Sequence, residues 1–173
     1  MQEFANVQSI RDAIFDLLTS VNMGTKENKK LLDYIIELFN KNGLSSDYYG
    51  YHNIDHELEV TYVTLMSAIH MLNEEKFEPD DVKYLFASAL LHDFDPQKVS
   101  DRPHEKSVID FINNDKEIQK LLQNANIDFN IICALILRTV YPWTGNIKSE
   151  TEEEIKNYLI SSSITRGNTE KQA

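Results

Sequence analysis

The chain has 173 residues, a length that suits one domain. Its 17 Lys and Arg against 28 Asp and Glu leave a net charge of −11, which repels nucleic-acid polymers and anionic membranes. With 42% hydrophobic residues, five Gly and four Pro, it has material for a real core and too few turn residues for an all-β chain.

No apolar run approaches the roughly 20 residues of a membrane span, and the opening MQEFANVQSI lacks the positive region of a secretory signal. A cytoplasmic location is the expectation. The single cysteine, Cys133, sits in the apolar stretch IICALIL and reads as a buried, inert thiol.

Helical spacing runs along the whole chain. VQSIRDAIFDLL carries apolar residues at Ile10, Ile14, Leu17 and Leu18. KENKKLLDYIIELFNKNG repeats the spacing and stops at Gly43. A tyrosine-rich loop, SSDYYGY, precedes a third helix expected from His52 to Glu74. PDDVKYLFASALLH starts at Pro79 and grows apolar towards His92, and DFDPQKVSDRP breaks it. HEKSVIDFI and KEIQKLL read as two short helices, with Asn114 and Glu117 as a capping box. IDFNIICALILRTVY is the most apolar helix, opened by Asp128 and stopped by Pro142. Thr151 and Glu154 pattern as a capping box for EIKNYLISSSI, and RGNTEKQA reads as a frayed tail. The fold class is all-α.

Chemistry concentrates on the five histidines, at 52, 56, 70, 92 and 104. His52 and His56 are four apart, which puts both on one face of the third helix. His92 and Asp93 close a helix whose preceding residues must be buried. Imidazole and carboxylate at a buried helix end are costly unless something neutralises them, and a divalent cation does so. His70, mid-helix in MSAIHML, reads as structural. Asp95 is either a turn-stabilising residue or a water-mediated metal contact.

Taken together, YHNIDHELEVTY (51–62) and LLHDFDP (90–96) resemble the HD superfamily of metal-dependent phosphohydrolases, and the tyrosine-led HNxxH form is similar to its cyclic-nucleotide phosphodiesterase branch. The resemblance spans roughly residues 48–143 and implies a single compact helical HD-like fold. Its organisation would be an N-terminal helical pair (1–45) packed on or continuous with the domain, an HD-like metal-binding core (46–165) and a flexible tail (166–173). It implies a divalent ion (Mn, Fe, Ni, Zn or Mg) held by His56, His92 and Asp93, with His104 a looser match to a second-metal histidine.

Asp93 would bridge to a second ion, and His52 would protonate the leaving oxygen. The implied reaction is in-line attack of an activated water on a phosphoester of a nucleotide or similar small phosphorylated molecule. Asn53, Asp55 or a later-helix carboxylate is expected to orient His52. Lys98, Arg102 and Arg138 are candidate phosphate clamps, with Thr139 as a hydroxyl donor. Tyr51, Tyr141 and Trp143 are candidate base-stacking rings.

One departure bears on activity. The family usually completes its first metal site with a late-helix aspartate, yet no aspartate follows Asp128, and serines occupy 161–163. Glu150, Glu152, Glu153 and Glu154 read as a charged helix N-terminus. Three protein ligands then suffice, or a carboxylate reaches in from elsewhere or from another subunit, or the chain is a degenerate binding or regulatory module. A third reading makes it a helical interaction protein with incidental histidines, which expects His52, His56 and His92 to lie far apart. The N-terminal helices either pack on the domain or form a homodimer surface.

Overall fold

The computed structural model describes residues 6–43, 50–97 and 102–162; Lys98, Ser163, the tail at 166–173 and most of the tyrosine-rich loop lie outside them. The described residues form eight α-helices and no β-strand: α1 (Val7–Ser20), α2 (Lys26–Lys41), α3 (Ile54–Asn73), α4 (Pro79–Leu91), α5 (Glu105–Asn114), α6 (Lys116–Asn124), α7 (Phe129–Leu137) and α8 (Gly145–Ser161). None is long and apolar enough to cross a membrane.

Local chemistry explains most of the boundaries. Asn6, Thr25, Asn53, Asp115 and Asp128 each accept a backbone N–H at the start of their helix. Pro79 opens α4, where a missing N–H costs nothing. Gly43 follows the α2 C-cap with φ +70, the left-handed exit that glycine adopts without strain.

Helices α1, α3 and α6 end alike, with Asn22, Glu75 and Asn126 at positive φ. In each, the next amide reaches back five residues: Met23 to Leu18 (2.7 Å), Lys76 to Met71 (3.0 Å) and Ile127 to Leu122 (2.9 Å). These 6→1 bonds satisfy carbonyls that the helix end would otherwise strand, and they reverse the chain within a few residues.

Helix α4 is central. It packs against α3 on one side and α7 on the other; α1 lies on α3, α2 meets α3, α4 and α6, and α5 contacts α6 and α7. Buried residues of α1 through α7 join one core, running from Ile10 and Ile14 through Leu58, Phe86 and Leu90 to Ile132 and Ile136. Helix α8 rests on α7, reaching the core through the half-buried Ile155 and Tyr158.

Four expectations about local structure are corrected. Helix α3 starts at Ile54, so His52 precedes it and Asn53 caps it. The cap of α6 is Asp115, whose Oδ1 accepts from Glu117 and Ile118 N–H (both 2.9 Å), rather than Asn114. Helix α8 begins at Gly145, placing Thr151 and Glu150–Glu154 inside the helix, with Thr151 turned inward and buried. Helix α7 ends at Leu137, well before Pro142, with Arg138 as its cap.

Candidate metal centre

Two chain segments meet at this site, the entry to α3 and the exit from α4. Asn53 Oδ1 accepts from the His56 amide (3.1 Å), and its Nδ2 donates to the Gly50 carbonyl (2.9 Å). The cap therefore sets the spacing between His52, just ahead of the helix, and His56 in its first turn. On the other side, the buried run Phe86–Leu91 anchors α4 in the core and carries His92 and Asp93 to its end. Phe94, fully buried, lies 4.9 Å from the Phe39 ring and 5.0 Å from Phe111, locking the backbone behind Asp93.

The side chains converge on one atom. Asp93 Oδ2 lies 2.8 Å from His52 Nδ1, 3.5 Å from His56 Nε2 and 3.3 Å from His92 Nε2. His56, His92 and Asp93 are sheltered, with side-chain exposures of 11%, 14% and 16%, while His52 is more open at 33%. The expectation of scattered histidines therefore fails. Tyr51, 69% exposed, lays its ring 4.0 Å from His56 at the rim.

Sequence reasoning missed one member. Glu57 is fully buried; His92 Nδ1 points its hydrogen bond at the Ala89 carbonyl (2.9 Å) and passes 3.3 Å from Glu57 Oε2, which has no hydrogen-bond partner. The signal lay in the spacing of α3, where Ile54, Leu58, Thr61, Leu65 and Ala68 form the buried face and Glu57 falls on it. A carboxylate on an apolar stripe is rare unless paired.

The electrostatics follow from crowding. Burial works against a charged His92, but the charge of Glu57 and the contacts with Asp93 outweigh it and push its pKa up to about 11. Burial also opposes the Asp93 charge, yet bonds from the three imidazoles hold it well below the usual carboxylate range. Burial raises Glu57, and His92 only partly offsets this.

Two sets of ligand atoms lie within 4.8 Å of one another: His52, His56 and Asp93, and Glu57, His92 and Asp93. Each set offers three imidazole and carboxylate donors of the kind that can hold a divalent ion, and Asp93 belongs to both. The residues present fit such an ion.

Other sequence-singled residues stand apart from these sets. His104 caps α5 with an exposed side chain, and its amide donates to Asp95 Oδ2 (3.2 Å). Asp95 is fully buried, also accepts from the Gln97 amide (3.2 Å), and so ties the two ends of the loop together. Arg102 donates to the Tyr141 carbonyl (2.9 Å), and Arg138 stacks 4.1 Å above Trp143. Thr139 Oγ1 donates back to the Ile136 carbonyl (2.7 Å). His70 is exposed and pairs with Glu74 at 3.2 Å.

Arg102, His104 and Tyr141 share a small cavity of about 220 Å³ that no member of the ligand sets lines. A cavity of about 720 Å³ opens elsewhere, among Asp80, Lys83, Lys116 and Lys120. Donor chemistry, rather than volume, marks the site. Comparison with protein-family models, curated proteins and solved structures yields no match for this chain.

Proposed function

We propose that the chain is a divalent-metal-dependent phosphohydrolase of the HD type, acting on a phosphoester of a nucleotide or similar small phosphorylated molecule. The observation that carries this reading is the approach of three imidazole nitrogens to within 3.5 Å of Asp93 Oδ2. A carboxylate oxygen has about two lone-pair directions, so three imidazole nitrogens crowd it beyond what hydrogen bonding alone can satisfy. A cation among these atoms satisfies every lone pair at once. The resemblance of YHNIDH and LLHDFDP to HD phosphohydrolases supplies the reaction class.

When bound, the ion acidifies a coordinated water and neutralises phosphoryl oxygens. Asp93, His56 and His92 would hold it. His52 is fixed through Nδ1 by Asp93 at 2.8 Å, which leaves Nε2 to pass a proton to the departing oxygen. Tyr51 is the exposed ring beside this point and can stack a planar ligand. Arg102, Arg138 and Thr139 are engaged by the segment around the end of α7, and a bound ion would supply the positive charge that a phosphate needs. The net charge of −11 favours a small ligand met by a metal over a nucleic-acid polymer.

Elemental mass spectrometry of protein purified without chelator, beside Asp93→Ala, tests the first half. Near-stoichiometric Mn, Fe, Ni or Zn in the wild type and its loss in the variant is the expected result. Absence of metal from both proteins, even after soaking and desalting, refutes the reading. Turnover of nucleotides and an aryl phosphodiester by the loaded protein tests the second half. Ligand-induced thermal stabilisation without product would replace it with the binding-module reading.

A further inference from the structure

We infer that Glu57 is a positioning residue for this centre, a buried carboxylate behind His92 that orients the ring and strengthens its grip on the ion. The inference rests on the metal-binding reading above. An imidazole has its two nitrogens on separate edges, and here each edge faces different chemistry. His92 Nε2 faces Asp93 Oδ2 at 3.3 Å, while Nδ1 faces the Ala89 carbonyl at 2.9 Å and Glu57 Oε2 at 3.3 Å. A carbonyl oxygen only accepts, so Nδ1 keeps its proton and Nε2, facing the other ligands, is the nitrogen that can give one up to an incoming ion.

Glu57 adds a negative charge on the protonated edge, and its Oε1 stands 3.5 Å from the Asp93 amide. It thus addresses both members of the His-Asp pair from one buried position. A carboxylate with no exposure and an oxygen lacking a hydrogen-bond partner is expensive to keep. The position lies on the core face of α3, where an apolar side chain would pack at no such cost. A charge retained there acts on the ring beside it, as carboxylates behind metal-binding histidines do in general. The competing role is a purely structural ion pair with a doubly protonated His92.

Zinc affinity, measured by competition with a chromophoric chelator, separates these roles for wild type, Glu57→Gln and Asp93→Ala, alongside melting of the metal-free proteins. A positioning role predicts that Glu57→Gln keeps the wild-type stoichiometry and binds Zn²⁺ roughly 10–100-fold more weakly. Unchanged affinity in the folded variant overturns the role, as does loss of binding as complete as in Asp93→Ala. The wild type provides a second measurement that is independent of the variant's folding. Nitrogen-15 spectra of the zinc-loaded protein should show His92 ligated through Nε2 and protonated on Nδ1; ligation through Nδ1 overturns the inference. Failure of the wild type to bind Zn²⁺ removes the metal reading itself, whereas the other three failures remove only Glu57's part.

Discussion

Asn53→Ala tests whether the α3 cap sets the geometry of the centre. The substitution removes the acceptor for the His56 amide at 3.1 Å and the donor to the Gly50 carbonyl at 2.9 Å. Losing an N-cap side chain costs about 1 kcal/mol, and a partly exposed hydrogen bond adds roughly 0.5–1 kcal/mol. The sum, about 1.5–2 kcal/mol, lowers the melting temperature of a domain this size by roughly 3–8 °C. Because the cap stands between His52 and His56, fraying of the first turn also loosens their spacing, so zinc affinity falls as well. Asn53→Asp keeps the acceptor and loses only the donor, and is expected to show about half the thermal loss. Scanning calorimetry with and without Zn²⁺ provides both readings. A melting temperature within about 1 °C of wild type, with unaltered zinc affinity, refutes the reasoning.

Other outcomes follow from burial. Phe94→Ala empties a fully buried site between Phe39 and Phe111 and should cost about 3–5 kcal/mol in urea denaturation; a loss below about 1 kcal/mol would show that this aromatic contact does not brace the loop behind Asp93. Burial, opposed in part by a bond from Tyr158, pushes the Cys133 thiol up to about 12. Its folded pKa lies above the unfolded value of about 8.5, so its stabilising contribution is complete below that pH and is lost as pH rises towards 12. Between pH 8 and pH 10 the wild type should therefore lose roughly 2 kcal/mol more stability than Cys133→Ala, measured by urea denaturation, and equal losses would contradict the burial argument. At pH 8 the native thiol should resist a thiol-specific label that reacts at once in denaturant.

Much of the local structure is readable from residue types alone, because its causes lie within a few residues. Apolar spacing at Ile10, Ile14 and Leu18 makes α1 amphipathic, Pro79 suits a first helical turn, and Gly43 permits the exit from α2. Capping was less legible. Asn114 and Asp115 are both good caps, as are Thr144 and Thr151, and only the path of the chain between neighbouring helices selects Asp115 and Thr144. His52 lies outside α3 for a related reason. Asn53 competes to end the loop, and its side-chain bonds move the helix start past His52.

The sequence by itself determined the helical class and the residue types able to bind a metal, since periodicity, turn chemistry and imidazole–carboxylate composition are properties of the chain. Tertiary structure decided which of those residues meet. His56 and His92 lie far apart in sequence and become neighbours because α4 packs along α3. The same packing leaves His104 exposed at the start of α5, outside both ligand sets. It also buries Glu57, a residue that in the first turn of an isolated helix would merely complement the dipole. Burial is a property of the surroundings rather than of the residue, and no pattern of neighbouring residue types reveals it for a glutamate in a first helical turn.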